Sequence, residues 1–213
     1  MKRTILRALA LLIIITALTL SLGSCNGNAD TSDEPLSGYH YVSIDTDFGS
    51  MVLRLDANNA PITVTNFVDL ADSGFYDGLT FTRAQEGFVI QGGDPSIPSS
   101  DKTAPDPIKG EFISNGVNNS ITHKKGVISM ARTSDPDSAS SQFFICIDTS
   151  PAVSQSLDGY YAAFGEVVEG MDVLDAIVEY MLSCPSGSMG FLTFYDDQPV
   201  IRSIRVLDDY IAE

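Results

Sequence analysis

Short runs of β-branched and aromatic residues, divided by glycine, proline, asparagine and aspartate, extend from residue 39 to residue 208. Residues 41–46 and 50–55 alternate in polarity across Asp47-Phe48-Gly49, which is typical of a β-hairpin. Further runs lie at 79–83, 88–92, 126–131, 143–147, 161–168 and 200–207. Many short strands without an internal repeat predict a closed antiparallel barrel or a sandwich.

Two longer segments have the apolar spacing of helices. The first extends from Pro61 to Asp72, where proline suits the first helical position and Ser73-Gly74 ends the pattern. The second extends from Met171 to Leu182. We expect each helix to pack one face on the core of the β-structure.

The N-terminus has the composition of a secretory signal. Lys2, Arg3 and Arg7 precede an apolar run from Ala8 to Leu22. As a helix this run would reach roughly 22 Å at about 1.5 Å per residue, which is short against about 30 Å of hydrocarbon. Residues 1–24 are therefore predicted to be a signal peptide.

Leu22-Gly23-Ser24-Cys25 resembles the lipobox of bacterial lipoproteins. The resemblance implies cleavage before Cys25 and lipidation of its thiol, and several acyl chains anchor a protein stably. There are two alternatives: a plain cleaved signal peptide or an uncleaved helix, in either of which Cys25 would carry no lipid. Residues 25–38 are polar and predict a flexible tether. The expected location is extracytoplasmic and membrane-anchored, with residues 39–213 as the folded domain.

The charge and the rare residue types exclude several functions. There are 28 acidic residues against 12 basic ones, a net charge of −16, which disfavours nucleic-acid binding. His40 and His123 are the only histidines. Without Gly-x-Ser-x-Gly, His-Glu-x-x-His, Cys-x-x-Cys or a phosphate loop, neither a metal nor an organic cofactor is expected.

Two cysteines lie within the predicted domain. Cys146 falls in the apolar run of residues 143–147, so the simpler interpretation is a buried small hydrophobe. A disulfide between Cys146 and Cys184 is the alternative in an oxidising compartment.

Residues 81–95, FTRAQEGFVIQGGDP, place one arginine and one glutamine among aromatic residues. Strand alternation predicts that Phe81 and Arg83 share one face, and that Val89 and Gln91 share another. A site of this kind offers one permanent cation and apolar walls.

The same segment resembles the signature of the cyclophilin peptidyl-prolyl isomerases. Four further blocks stand in that family's order over about residues 40–208: KGEF at 109–112, GVISMA at 126–131, SQFFI at 141–145, and LDG at 157–159 followed by FG at 164–165. The resemblance implies a mainly β fold, a closed eight-stranded antiparallel barrel capped by two α-helices. It also implies cis-trans isomerisation of X-Pro bonds without a cofactor.

The resemblance assigns roles to particular residues. Arg83 would donate to the prolyl nitrogen, and Gln91 would orient Arg83 and the substrate carbonyl. Other residues would contact the substrate: Phe88, Val89, Phe144 and Leu157 around the proline ring, and Ala131, Arg132, Gln142 and Tyr161 along the groove. Strand alternation alone does not place Phe88 beside Val89 and Gln91. Phe143 is expected in the core.

Several positions depart from the family's pattern. Thr82 and Tyr161 stand where histidine is common, Val89 where methionine is common, and Ser156 where an aromatic residue precedes Leu-Asp-Gly. Residues 94–109 lack the usual glycine-rich character, and residues 183–195 resemble an insertion before the last strand, which affects the edges of the groove.

The loss of the aromatic side chain at Ser156 leads to a prediction about inhibitors. Wall area and an indole donor are removed, so we expect cyclosporin-type inhibitors to bind weakly. Isothermal titration would measure this, and a dissociation constant as low as that of family members with the aromatic residue would contradict it.

Three functions are consistent with these features. The first is an isomerase, expected as a monomer, that acts on proline-containing peptides and unfolded exported proteins. The second is a chaperone-like or adhesive binding lipoprotein with negligible turnover. The third is a solute-binding lipoprotein, although such proteins are usually longer and two-lobed.

Overall fold

The computed structural model describes residues 34–208 and 210, so the predicted signal peptide, Cys25 and most of the tether lie outside the described part. The eight strands are β1 Tyr39–Thr46, β2 Gly49–Asp56, β3 Phe81–Gln85, β4 Val89–Gly92, β5 Val127–Met130, β6 Phe143–Cys146, β7 Ala163–Glu169 and β8 Ile201–Val206. The helices are α1 Pro61–Asp72, α2 Pro151–Leu157 and α3 Met171–Ser183.

The strands form one curled antiparallel sheet in the order β3-β4-β6-β5-β7-β2-β1-β8. The edge strands β3 and β8 share no ladder in the described chain. Residues 78–81 and 199–201 are joined by one bridge, Thr80 to Val200, and by backbone hydrogen bonds from Gly78 N to Ile201 O, Ile201 N to Leu79 O and Phe81 N to Pro199 O. The prediction of a closed barrel is therefore wrong, and the sheet is an open half-barrel. The reason is local, because beyond Phe81 the edge of β3 pairs with residues 191 and 192 instead.

The two predicted helices and the first hairpin are confirmed, with Thr46 opposite Gly49 at the turn. The third helix, α2, was missed because its seven residues are too few to show a helical period. In the described residues no helix has both the length and the apolar character needed to span a membrane.

Alternation along β6 gives the sheet two apolar faces. Phe143 points into the main core, where Phe67 of α1 contacts the rings of Tyr76, Phe143 and Phe164 at centroid distances of 5.1, 5.6 and 5.1 Å. This confirms the expectation that Phe143 is a core residue. Phe144 and Cys146 point to the opposite face and pack with Val89, Val153 and Leu157 in a second cluster.

Both cysteines of the domain are free thiols. Cys146 is buried, as the simpler interpretation of its apolar run predicted, and Cys184 is half-buried. Burial raises the pKa of Cys146 to about 12, so its thiol stays neutral.

Candidate active site

A cleft lies over the second apolar cluster, on the face of β4 and β6 that points away from the main core. Its cavity measures about 170 Å³. The lining residues are Arg83, Phe88, Val89, Gln91, Ala131, Arg132, Phe144, Leu157 and Tyr161. These are nine of the ten cleft residues predicted from the sequence, and Val89 and Gln91 share the face that alternation gave them.

A bulge in β3 brings Arg83 to this cleft. The pairing register with β4 shifts between Phe81, which faces Gly92, and Arg83, which faces Gln91. Phe81 is buried in the main core while Arg83 lines the cleft. The prediction that Phe81 and Arg83 share a face is therefore wrong, because a bulge adds a residue and reverses the alternation beyond it.

Three acceptors hold the Arg83 guanidinium. Nη1 donates to Gln91 Oε1 over 3.1 Å, Nη2 donates to Gln85 Oε1, and Nε donates to the Met189 carbonyl over 2.7 Å. A guanidinium carries five N–H groups, so two remain without a partner in the described structure. Burial lowers the pKa of Arg83 and nearby Tyr161 raises it, but a guanidinium remains charged at physiological pH.

Gln142, the tenth predicted residue, lies beside the cavity rather than in its wall. Its Oε1 accepts from Gln91 Nε2 over 2.8 Å, so Arg83, Gln91 and Gln142 form a continuous hydrogen-bonded row. It lines an adjoining depression of about 150 Å³ that shares Gln91, Ala131 and Arg132 with the first cavity. We call this second hollow the Gln142 depression.

The family model for "Cyclophilin type peptidyl-prolyl cis-trans isomerase/CLD" matches residues 41–206. The chain belongs to this family. It is similar to peptidyl-prolyl cis-trans isomerase A of Dickeya dadantii, with 39% identity over 165 residues, 77% of this chain and 80% of that protein. Peptidyl-prolyl cis-trans isomerase B of Escherichia coli is 39% identical over 140 residues, 64% of this chain and 82% of that protein.

Solved structures agree with these relatives. A cyclophilin-type isomerase of Cryptosporidium parvum, determined in the presence of the dipeptide Ala-Pro, superposes with a TM-score of 0.64 and 27% identity, over 79% of this chain and 99% of that one. The protein is therefore a peptidyl-prolyl cis-trans isomerase with a cyclophilin fold.

Arg132 of this isomerase forms part of the wall of the cleft. Its Nε and Nη2 both donate to the Tyr160 carbonyl, at 3.0 and 2.7 Å. Its Cζ atom lies 5.0 Å from the centroid of the Phe112 ring and 4.6 Å from that of the Tyr161 ring. A cation within about 6 Å of an aromatic ring face is attracted to that ring. Arg132 thus shapes the groove and keeps Tyr161 against it.

A buried histidine packs against Phe144 of the cleft. It was assigned no role from the sequence. His123 Nδ1 lies 2.8 Å from Asp158 Oδ1, and Nε2 lies 3.0 Å from Ser129 Oγ. The imidazole also stacks on Phe144, with centroids 6.0 Å apart. The signal was available, because His123 is one of only two histidines and Asp158 follows Leu157 directly.

This arrangement makes stability depend on pH. Burial lowers the pKa of His123, and the hydrogen bond that its imidazole donates to the Asp158 carboxylate opposes that shift only partly. In the unfolded chain the ordinary pKa is about 6.5, so the unfolded state binds the proton more tightly. The contribution of neutral His123 to the free energy of unfolding is therefore complete above about pH 6.5. It is lost as the pH falls from there towards the lower pKa of the folded state. The Cys146 thiol, which also lies near Asp158, is neutral and does not compensate.

We therefore expect the wild type to lose more stability between about pH 7.5 and about pH 5 than the variant His123→Asn, which has no imidazole to protonate. Urea unfolding at the two pH values measures the difference. Parallel losses in the two proteins would contradict this account of His123.

The segment around Met189 and Phe191 is the main part of the site that sequence reasoning missed. In the sequence, this segment was noticed only because residues 183–195 resemble an insertion. Nothing in the sequence indicated that its backbone would contact Arg83. Gln85 was missed as well, although it lies two residues from Arg83 on the same strand.

A larger cavity, of about 250 Å³, lies elsewhere and has a different character. Its charged residues neutralise one another, since Arg54 and Lys124 approach Glu166 at 2.6 and 3.4 Å. Its large apolar lining residues are Ile121 and Val127, with no aromatic ring among them, and it does not contain the row of Arg83, Gln91 and Gln142.

Proposed function

We propose that the isomerase turns over X-Pro bonds of exported or surface polypeptides through a hydrogen bond from Arg83 to the prolyl nitrogen of the twisted bond. The observation that carries this proposal is the position of the guanidinium, at the rim of an apolar cavity with two N–H groups still free among the described contacts.

The chemistry needs a cation and no proton transfer. Rotation about an X-Pro bond has a barrier of about 18–20 kcal/mol because it breaks amide resonance. As the bond twists, the nitrogen regains its lone pair and becomes an acceptor. A fixed guanidinium then binds the twisted state more tightly than either planar state, which lowers the barrier. Gln91 and Gln85 hold the guanidinium in place, so little reorganisation is needed.

The cavity is suited to the proline ring. A protein cavity of about 150 Å³ is large enough to hold benzene, and the hollow under Arg83 measures about 170 Å³. Phe88, Val89, Phe144 and Leu157 supply its apolar surface. Substrate residues on one side of the proline would then lie over Ala131 and Arg132 towards the Gln142 depression. The presence of Ala-Pro with the related Cryptosporidium parvum protein is consistent with this assignment.

The N-terminal sequence supports a proposal about where the substrates are located. We propose that residues 1–24 are removed, that Cys25 carries the lipid, and that residues 25–38 hold the domain away from the membrane. Mass spectrometry of the mature N-terminus tests this directly. A diacylglyceryl adduct on Cys25 would support the proposal, and an unmodified Cys25 would contradict it.

A protease-coupled assay on an Ala-Pro peptide tests the catalytic proposal. We expect the wild type to accelerate the cis-to-trans step well beyond the uncatalysed time of tens to hundreds of seconds. An NMR titration with the same peptide reports binding separately. Binding without acceleration would favour the peptide-binding lipoprotein considered above, and neither binding nor acceleration would contradict both.

A further inference from the structure

Residues 185–193, between α3 and β8, form a short hairpin. Gly187 N donates to the Phe191 carbonyl over 2.8 Å, Thr193 N donates to the Pro185 carbonyl over 2.9 Å, and Ser186 is bridged to Leu192. We call this segment the 185–193 hairpin. It lies within the insertion that departs from the family's pattern.

Backbone contacts fix the hairpin on the edge of β3. Phe191 is bridged to Arg83, and Leu192 N donates to the Thr82 carbonyl over 3.0 Å. Gly190 has φ +82°, and a Cβ at this residue would lie 2.0 Å from the Ala84 carbonyl oxygen. Only glycine permits so close an approach, so the hairpin has a defined position beside the cleft.

The hairpin contacts the guanidinium directly. Besides the 2.7 Å hydrogen bond from Arg83 to the Met189 carbonyl, the Phe191 ring lies 5.8 Å from the Arg83 Cζ atom. Because the hairpin pairs with the edge of β3 opposite to β4, Arg83 separates it from Gln91 and the Gln142 depression.

Two large apolar side chains of the hairpin are exposed at this point. Met189 is 69% exposed and Phe191 is 41% exposed. Exposed apolar residues are usually scattered singly, whereas these two lie two residues apart on a segment bonded to Arg83. Methionine adapts to ligands of varied shape, and phenylalanine offers a rigid apolar surface.

We propose that Met189 and Phe191 form a further substrate subsite, which binds a large apolar side chain of the same polypeptide whose proline occupies the cavity. The ligand of this subsite is expected to be the same polypeptide because the subsite adjoins the cavity: Arg83 lines the cavity and also bonds to the hairpin. An extended chain advances about 3.3–3.6 Å per residue. The bound side chain is therefore one or two residues from the proline, on the side away from the Gln142 depression. This inference rests on the proposed function of the cleft.

Matched peptides test the subsite. They place either phenylalanine or serine at each of the two positions on either side of the proline, and kcat/KM is measured for the wild type and three variants. The variants are Met189→Ala, the double variant Met189→Ala with Phe191→Ala, and the control Leu182→Ala. Leu182 is 42% exposed on α3, outside the hairpin, and so matches Phe191 in exposure.

We expect the wild type and Leu182→Ala to prefer phenylalanine over serine by about tenfold on one side of the proline only. The preference should fall to about threefold or less in the double variant, through KM rather than kcat. Met189→Ala should show part of this loss of preference. Because the Met189 side chain is exposed, its truncation should not disturb folding, so misfolding would not explain the loss.

Failure of the subsite can be distinguished from failure of the proposed function. A wild type that accelerates none of the peptides overturns both. A wild type that accelerates phenylalanine and serine peptides equally overturns the subsite alone, as does a preference that the double variant retains in full.

Discussion

Replacement of Arg83 by alanine is expected to lower kcat/KM for an X-Pro peptide by about 10²–10³-fold, the usual effect of removing a donor that is aimed at a transition state. The loss should fall on kcat, because the apolar cavity under Phe144 still binds the proline ring in the planar state. A protease-coupled stopped-flow assay measures both constants.

Arg83→Lys separates geometry from charge. Lysine keeps the positive charge, but it cannot reproduce the fixed set of bonds to Gln91, Gln85 and the Met189 carbonyl. We therefore expect activity between those of the wild type and Arg83→Ala. Arg202→Ala removes an exposed arginine paired with Asp47 and should leave kcat/KM unchanged. If Arg83→Ala retains wild-type kcat while folded, the proposed mechanism is wrong.

Much of the cleft could be predicted because its residues are determined by local sequence. Alternation along β6 sends Phe143 into the core and Phe144 to the cleft, and alternation along β4 does the same for Ile90 and Gln91. The ordered sequence blocks then allowed these strands to be assigned to one family. Local periodicity and a family resemblance were therefore sufficient for nine wall residues and for Gln142 beside them.

What could not be predicted depends on which strand edges meet. The bulge beside Arg83 is visible only in the register of β3 against β4. The open sheet and the 185–193 hairpin have the same cause. The hairpin pairs with the edge of β3 that would pair with β8 in a closed barrel. Whether the hairpin or β8 pairs with the edge of β3 is not visible in the periodicity of either segment's sequence.

Glu111 illustrates the same limit at the start of α1. It was seen only as part of the KGEF block, yet its buried carboxylate accepts from Ile62 N at 3.1 Å and from Thr63 N and Thr63 Oγ, both at 2.7 Å. Ala60 provides no side-chain cap, and Pro61 has no N–H to satisfy. A distant glutamate thus caps the two free amides of the first turn.

The variant Glu111→Gln is therefore expected to destabilise the fold by about 2–4 kcal/mol, because charge-assisted hydrogen bonds are lost and a new amide N–H₂ group faces buried donors. Urea unfolding measures the loss. Glu179→Gln, an exposed change on α3, should stay within about 0.5 kcal/mol of the wild type. Because Glu111 lies outside the cleft, folded Glu111→Gln should keep nearly normal kcat/KM. A loss below about 1 kcal/mol would show that water or a rearranged first turn satisfies Ile62 and Thr63 as well as the carboxylate does.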